Sequence, residues 1–233
     1  MTGALAIFAK TKSLSPVKTR LASNIGKPLA EAFYTLSVEA VAEVVQSAQK
    51  QNQNNFVPYW ALAEEEAVDY KAWQGFHSLW TGEGDLGMRL HKIYSTLRKK
   101  HDYVVLLGTD SPQLQPELIT SVCKKLAQQS KSCAKSCVIG PAPDGGFYLF
   151  AAKIPIKRQI WTEVNYSQSQ TLAELRAKLA AHGISAELLP PCGDVDTIHD
   201  LKPLIDALRA NSNLLPAQQR LQAWLEREVG MLV

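Results

Sequence analysis

Residues 104–112 read Val104-Val105-Leu106-Leu107-Gly108-Thr109-Asp110-Ser111-Pro112. Four consecutive apolar residues, two of them β-branched, are typical of a strand that is buried on both faces in a parallel sheet. The run ends at Gly108, and Pro112 prevents a helix from starting immediately. Asp110 therefore lies just beyond the carboxyl end of a central strand, where open α/β sheets bind their ligands. From this stretch alone, a helix cap or a turn explains Asp110 equally well.

The remaining sequence alternates strand-length apolar runs with amphipathic segments, which is typical of βαβ units. We therefore predict an α/β fold, a three-layer α/β/α sandwich with a mostly parallel central sheet. The chain length of 233 residues suits a single domain over residues 1–233, with C-terminal helices from about residue 198. Pro28 is predicted to open a helix that ends before a solvated connection at residues 46–55, and Ser167 to cap a later helix. The predicted strands are 4–8, 56–62, 78–80, 104–107, 137–139, 147–150 and 186–189.

The composition argues against several classes of protein. The chain has 25 basic and 22 acidic side chains, a balance that does not suggest a nucleic-acid or membrane-surface partner. The apolar N-terminal run stops at Lys10, so it predicts a first strand rather than a signal peptide or a membrane span. None of the four cysteines forms a CxxC pair, and Cys133 and Cys137 alone make a poor zinc signature. We expect reduced thiols and a cytoplasmic location.

The loop after the first predicted strand is rich in groups that bind phosphate. It contains Lys10, Lys18, Thr19 and Arg20, whose cations and hydroxyl can bind several phosphate oxygens. The glycine and lysine spacing of a P-loop is absent. A solvated basic loop is the simpler alternative for any charged run. Because the other strand-end loops also carry suitable groups, we predict that this loop binds the phosphates of a nucleotide.

A second candidate ligand site is the glycine-rich turn at residues 82–87. Glycine lets backbone amides approach a ligand closely, so Gly84 is predicted to lie against the nucleotide. Asp85 is predicted either to accept a hydrogen bond from a ribose hydroxyl or to cap the helix that starts at Leu86, and the sequence favours neither role. We expect Leu86 to point into the core.

Acidic residues follow two of the predicted strands. Asp110 follows the central strand, and Asp194 and Asp196 follow the last one. Mg²⁺ typically takes one or two protein carboxylates and completes its shell with water and substrate phosphates. Asp110 and Asp196 meet that requirement if their strands are neighbours. The alternative for Asp194 and Asp196 is capping of the helix that starts near residue 198.

Two further features suggest contacts with a substrate. Asp144-Gly145-Gly146 is a typical tight turn, but at a strand end it could also bind substrate hydroxyls. Trp161 and Tyr166 could form the floor of a sugar or base pocket, although tryptophan in a chain like this mostly serves packing. The sequence shows no Ser/His/Asp or Cys/His constellation for nucleophilic catalysis.

Five of these segments occur in an order that is itself informative. In this order they resemble the DUF2064 family of candidate glycosyltransferases, which is related to the nucleotide-diphospho-sugar transferases and to phospholactate guanylyltransferase. The resemblance implies a GT-A-type fold, a bound nucleotide and a divalent metal, Mg²⁺ or Mn²⁺. The segments are residues 8–21, 84–87, 107–112, 140–149 and 194–197.

The resemblance also implies roles for individual residues. Asp110 and Asp196 fall where the superfamily places metal-binding acids, and Lys18 and Arg20 where it places phosphate-binding cations. The first loop departs from the family pattern of lysine, small residue, proline and glycine, because Lys12 and Ser15 stand there instead. Without the glycine, the backbone of the first loop is less able to approach phosphate groups closely.

We predict a metal-dependent transferase that acts on a nucleotide-sugar or a nucleoside triphosphate and an unknown small-molecule acceptor. Lys18 and Asp110 are the predicted catalytic residues, because positioning and charge stabilisation dominate such transfers. The basic loop favours nucleotidyl transfer and the resemblance favours glycosyl transfer, so both stay open. The alternative, motivated by the altered first loop, is a non-catalytic module that binds a nucleotide or sugar phosphate. The predicted nucleotide site is Lys10, Lys18, Thr19, Arg20, Gly84, Asp85 and Gly108, and the predicted substrate site is Asp144, Gly145, Gly146 and Trp161.

Overall fold

A seven-stranded sheet forms the middle of the protein in a computed structural model that describes residues 2–53, 55–129 and 135–230. The strand order is β3-β2-β1-β4-β6-β5-β7, and only β6 runs antiparallel to its neighbours. The predicted mostly parallel sheet is therefore confirmed. Cys133, which was considered above as part of a zinc signature, lies outside the described residues. The strands are β1 Gly3–Ala9, β2 Phe56–Leu62, β3 His77–Trp80, β4 Val104–Leu107, β5 Ser136–Pro141, β6 Phe147–Ala152 and β7 Ser185–Leu188.

Helices cover both faces of the sheet. Apolar residues of α2 and α4 pack on one face, and those of α3, α5 and α6 pack on the other. The helices α7 and α8 pack on the outer side of α1 and α2. This arrangement confirms the predicted α/β/α layers. The helices are α1 Thr19–Ile25, α2 Lys27–Gln51, α3 Leu86–Arg98, α4 Pro116–Gln128, α5 Arg158–Thr162, α6 Thr171–Ala181, α7 Leu201–Ala210 and α8 Pro216–Glu228.

The central strand behaves as its sequence indicates. All four residues of β4 are buried. Val105 and Leu107 join the core cluster on one face, while Val104 and Leu106 join the cluster on the other. Side chains of a strand alternate between faces, so a strand with helices on both sides must be apolar throughout. Asp110 follows this strand at the carboxyl edge of the sheet.

Three local predictions were wrong. Helix α2 continues through Gln51, into the predicted connection, because Ala48 is fully buried against the sheet. Ser167 does not cap α6, which starts at Thr171 with Gln170 at the cap position. Leu86 is 43% exposed rather than part of the core.

Pro58 lies in β2, which is next to the edge strand β3. Proline has no N–H to donate, so it favours positions near the edge of a sheet. Pairing with β3 begins only at Tyr59, so Pro58 lies where β2 has a single partner strand.

Within the part of the chain that the structure describes, no helix has an apolar stretch long enough to cross a bilayer.

Candidate active site at the carboxyl edge of the sheet

The acids of the site are brought together by a segment that crosses the end of the sheet. Strands β4 and β7 are not neighbours, since β6 and β5 lie between them, so the condition stated above for pairing the two acids through adjacent strands is not met. Residues 189–195 instead run back from β7 across the strand ends, where Leu189 N–H donates to Ile139 O and Val195 N–H donates to Asp110 O. Asp196 thereby arrives beside Asp110.

Lys18 lies between the two acids. Its Nζ is 2.6 Å from Asp110 Oδ1 and 3.3 Å from Asp196 Oδ1, and it donates a third hydrogen bond to the carbonyl of Val195. The Lys18 side chain is only 4% exposed, whereas those of Asp110 and Asp196 are 45% and 44% exposed. Burial lowers the pKa of Lys18, but the two carboxylates outweigh it, so the pKa lies above the ordinary lysine value.

The backbone of Lys18 is also unusual. Its φ of 47° and ψ of 43° are left-handed, a conformation that costs a non-glycine residue about 1–3 kcal/mol. This turn ends the loop after β1 and starts α1, a short helix that the sequence had not suggested. Arg20 in the first turn of α1 places Nη1 3.6 Å from Asp196 Oδ2. The strained backbone therefore belongs to Lys18, the same residue whose ammonium contacts both acids.

The rest of the first loop is held by side chains of the body of the protein. The Tyr34 hydroxyl of α2 accepts from Lys10 N–H at 2.7 Å and donates to Lys10 O at 2.8 Å. Thr11 N–H donates to Glu64 Oε2 at 2.8 Å, and Trp73 Nε1 donates to Thr11 Oγ1 at 3.1 Å. The loop is thus ordered without the glycine of the family pattern.

A basic cavity of about 470 Å³ opens at the ends of β1, β2 and β3. Arg89 of α3 lies in its wall, where Nε donates to Gly84 O at 3.0 Å and Nη1 lies 3.4 Å from both Ala63 O and Thr81 Oγ1. Within the described residues, neither Lys10 nor Arg89 forms an ion pair with a carboxylate. The cavity therefore suits an anion. Its polar lining includes Lys10, Lys18, Thr19, Arg20, Tyr34, Thr81 and Arg89.

An acidic cavity of about 510 Å³ adjoins the basic one. Arg20, Asp110 and Asp196 line both cavities. The group formed by Lys18, Asp110 and Asp196, here called the Lys18 cluster, therefore lies at the boundary between them. Both volumes are in the range of small-molecule sites. The further lining of the acidic cavity includes Gly108, Asp144, Gly146, Tyr148, Tyr166, Gln168 and Asp194.

Two acids give this second cavity its character. Asp144 Oδ1 accepts from Gly146 N–H at 2.8 Å, which closes the β5–β6 turn. Burial raises the pKa of Asp194 to about 6, and the negative charges of Asp144, Asp196 and Asp110 add to the effect. Negatively charged groups are therefore concentrated in this cavity, just as positively charged groups are concentrated in the basic cavity.

Several residues that were predicted to contact substrate or nucleotide lie elsewhere in the structure. Trp161 was wrongly predicted to contact substrate, because it is fully buried, with its ring centroid 4.7 Å from Phe150. Gly145 does not line the acidic cavity but lies against Ser169, and its carbonyl accepts from Leu172 N–H at 2.8 Å. Gly108 lines the acidic cavity rather than the basic one.

Leu86 is the residue of the glycine-rich turn that lines the two cavities, whereas Gly84 and Asp85 support the site from outside them. Asp85 caps α3, since its Oδ1 accepts from Met88 N–H at 2.8 Å. Gly84, with a φ of 95°, presents the carbonyl that holds Arg89. Direct contact of Gly84 and Asp85 with a nucleotide is therefore not supported by their placement.

Sequence reasoning missed Arg89 and Tyr148, and weighed Asp194 without assigning it to the site. Arg89 lies in the first turn of the helix after the glycine-rich turn, and that position was the available signal. Tyr148 follows the Asp-Gly-Gly turn in a strand that looked purely apolar, but its hydroxyl donates to Pro190 O at 3.0 Å. Tyrosine in such a run commonly has a polar partner at its tip.

The family model described as "Uncharacterized protein conserved in bacteria (DUF2064)" matches residues 35–168, which is more than half of the chain. The chain belongs to the DUF2064 family. The matched region of this DUF2064 protein contains Asp110, Arg89 and Asp144, while Lys18 and Asp196 lie on either side of it. A comparison with curated proteins gives no match.

Solved structures share the fold of this DUF2064 protein. A candidate nucleotide-diphospho-sugar transferase from Desulfovibrio desulfuricans G20 is 22% identical with a TM-score of 0.82, over 99% of this chain and 98% of that one. CMP:2-keto-3-deoxy-manno-octonic acid synthetase complexed with CTP is 15% identical, with a TM-score of 0.54 over 90% and 99%. Glucosyl-3-phosphoglycerate synthase from Mycobacterium tuberculosis, in complex with Mn²⁺, UDP and phosphoglyceric acid, is 12% identical, with a TM-score of 0.50 over 98% and 78%. These likenesses establish the nucleotide-diphospho-sugar transferase fold.

The acid pair of this DUF2064 protein suits a divalent metal shared with a substrate. One carboxylate oxygen of Asp110 and one of Asp196 lie close to the same point, which Lys18 Nζ occupies. Both acidic side chains are about half exposed. Within the described residues, no three His, Cys, Asp or Glu side chains form a group that could hold a metal. Two carboxylates fit Mg²⁺ or Mn²⁺, which complete their shells with water and phosphate oxygens.

Proposed function

We propose that this DUF2064 protein is a metal-dependent transferase that acts on a nucleotide-sugar or a nucleoside triphosphate and a small-molecule acceptor. The observation that carries the proposal is the placement of Lys18, Asp110 and Asp196 at the boundary between a basic and an acidic cavity. Such a boundary lets a phosphorylated donor and a hydroxylated acceptor meet where charge develops during transfer.

In this proposal the basic cavity holds the nucleotide. Lys10 and Arg89 have no carboxylate partner within the described residues, so their charges are available to phosphate or to a base carbonyl. Arg20 lines both cavities, so it can bind phosphate groups that lie at the boundary between them. Arginine is suited to bidentate contacts with phosphate, and lysine acts as a point charge.

The acidic cavity holds the sugar or the acceptor. Asp144 and Asp194 can accept hydrogen bonds from hydroxyl groups, and Tyr148 and Tyr166 provide aromatic surface. A metal ion held by Asp110 and Asp196 would offset negative charge on the phosphate oxygens during transfer. Lys18, which pairs with both acids, keeps their carboxylates at the boundary in the free protein.

Nucleotidyl and glycosyl transfer both fit this division of the site. Solved structures with the same fold include a CTP-bound synthetase and a glycosyl-transferring enzyme with Mn²⁺ and UDP bound. The two reactions release different products, pyrophosphate in the first case and a nucleoside diphosphate in the second. Identification of the released product therefore separates them.

The geometry favours the enzyme over the non-catalytic binding module. That alternative rested on Lys12 and Ser15 in the first loop, and neither residue lines the two cavities. Lys12 Nζ donates to Thr35 Oγ1 at 3.2 Å, and Ser15 N–H donates to Thr11 O at 2.9 Å. The altered positions form a turn of their own beside the site. A single domain over residues 1–233 and a cytoplasmic location remain predictions from the sequence.

The test is metal-dependent turnover in the wild type and in Asp110→Asn. Purified protein is incubated with nucleotide-sugars or nucleoside triphosphates, candidate acceptors and Mg²⁺ or Mn²⁺, and released pyrophosphate and nucleoside diphosphate are quantified. We expect Asp110→Asn to lose about 100-fold or more in turnover while its circular dichroism spectrum stays unchanged. Asp206→Asn, which alters an exposed ion pair with Lys202, is the matched control and should keep full activity. Equal turnover by Asp110→Asn and the wild type would overturn the proposal.

A further inference from the structure

We propose that Lys18 is a resident counter-cation that keeps divalent metal off the Asp110 and Asp196 pair in the free protein, so that metal binds well only with a nucleotide. The second part rests on the proposed function, because it needs a nucleotide whose phosphates enter the site. The first part concerns Lys18 and the metal alone and is tested separately.

The position of the ammonium is the first argument. Lys18 Nζ lies 2.6 Å from an oxygen of Asp110 and 3.3 Å from an oxygen of Asp196. Mg²⁺ binds carboxylate oxygens at about 2.0–2.1 Å. A metal shared by these two oxygens would therefore have to lie against the ammonium or displace it. Like charges at such a separation repel strongly in a partly desolvated site.

Lys18 is also held firmly in this position. Its side chain is 4% exposed, and the Val195 carbonyl takes a third bond from the ammonium. Its left-handed backbone turns the chain directly into α1. A lysine on an exposed loop can swing away into water at little cost, whereas this one would leave a buried carbonyl without a partner.

The charges around the two acids are already balanced without a metal. Asp110 and Asp196 carry two negative charges, and Lys18 and Arg20 bring two positive charges within 3.6 Å of their oxygens. A bare divalent ion would add two more positive charges beside these four groups. A nucleotide di- or triphosphate brings the anions that compensate for the metal, and its oxygens can take over the bonds of Lys18 and Arg20. Metal and nucleotide then favour each other's binding.

The experiment measures Mn²⁺ affinity by electron paramagnetic resonance in the absence of nucleotide. The proteins are the wild type, Lys18→Met, Lys18→Arg and the control Lys12→Met, which removes an exposed lysine of the same loop. We expect Lys18→Met to bind Mn²⁺ at least tenfold more tightly than the wild type, and Lys18→Arg and Lys12→Met to resemble the wild type. If Lys18→Met does not fold, Lys18→Gln, which keeps a donor for the Val195 carbonyl, carries the same comparison.

Equal or weaker Mn²⁺ binding by the neutral Lys18 variant would overturn the role of Lys18, whatever the protein does with nucleotides. A second series adds CDP, UDP, GDP or ADP to the wild type. A tenfold or greater gain in Mn²⁺ affinity with one of them supports the coupling. No gain with any nucleotide, together with tight Mn²⁺ binding by Lys18→Met, would contradict the proposed function and the coupling but leave Lys18 as the counter-cation.

Discussion

The backbone N–H of Val195 donates to the carbonyl of Asp110 at 3.1 Å, and this bond joins the two loops that carry the acids of the site. A second bond supports it, because Gln113 Nε2 donates to Gly193 O at 2.6 Å. The segment that returns from β7 is thus attached to the loop after β4 at two points. The distance between Asp110 and Asp196 depends on these attachments rather than on strand pairing.

Gln113→Ala should loosen the returning segment. We expect a loss of about 1–2 kcal/mol in the free energy of unfolding, because a partly buried carbonyl at Gly193 loses its donor. Nucleotide binding in the presence of Mn²⁺ should weaken as well, since Asp196 is less well placed. Urea unfolding and calorimetric titration measure the two effects. Gln219→Ala removes an exposed bond to Leu214 O in the first turn of α8 and is the control. A similar loss of binding in that variant would contradict the role of Gln113.

Arg89→Gln should weaken nucleotide binding about tenfold, the value of one charge-assisted hydrogen bond. Its effect on the melting temperature should be small, because the Arg89 side chain is only partly buried. Calorimetric titration with nucleotide and Mn²⁺ measures the affinity. Arg98→Gln changes an arginine at the other end of α3 and should leave the affinity unchanged. Unchanged affinity in Arg89→Gln would remove this residue from the proposed nucleotide site.

Gly145→Ala should destabilise the wall of the acidic cavity. A Cβ at Gly145 would lie 2.0 Å from Ser169 O, and the residue has a φ of 92°. We expect a loss of about 2–4 kcal/mol in the free energy of unfolding, as for other overpacked sites with backbone strain. Gly183→Ala is the matched control, since Gly183 has a φ of 70° but nothing within 4 Å of the added Cβ. It should cost only about 1 kcal/mol from strain. Equal losses in the two variants would show that Ser169 does not confine Gly145.

Asp194 should make the stability of the metal-free protein depend on pH. Its pKa is raised to about 6 from an ordinary value of 3.8, so the folded protein binds its proton more tightly than the unfolded chain does. The stability that this group contributes is complete below about pH 4 and is lost as the pH rises through about 6. Asp194→Asn should therefore be more stable than the wild type at pH 8, by about 1–2 kcal/mol.

Urea unfolding in a chelating buffer between pH 4 and pH 8 tests this prediction. The advantage of Asp194→Asn over the wild type should shrink as the pH falls below 6. Asp206→Asn on the exposed surface of α7 is the control for the loss of a carboxylate elsewhere in the protein. A constant difference between wild type and Asp194→Asn across the range would contradict the raised pKa.

Much of the fold could be predicted because its signals are local. The apolar run of β4 and the glycine after it placed Asp110 correctly at the end of a central strand. The alternation of strands and helices was enough to predict the layers. The end of α2 was missed because its last turn is rich in polar residues, and only the packing of Ala48 on the sheet shows that it is helical.

The site was less predictable because its geometry depends on contacts between distant parts of the chain. Lys18 looked like a free phosphate-binding cation, yet it pairs with acids that are 92 and 178 positions away. No local pattern in the sequence indicates that the segment after β7 returns to β4. Trp161 was assigned to a pocket on its residue type, but tertiary packing places it in the core between Tyr94 and Phe150.

We expect metal and nucleotide to bind together at the Lys18 cluster. A thermal-shift titration of the wild type tests it most directly, with nucleoside triphosphates and nucleotide-sugars varied independently of Mg²⁺ and Mn²⁺. Ligands that bind only the folded protein raise the melting temperature by mass action. We expect a rise of several degrees for one nucleotide class with metal, and little or none for that nucleotide or the metal alone. No rise with any combination, or an equal rise without metal, would contradict the claim.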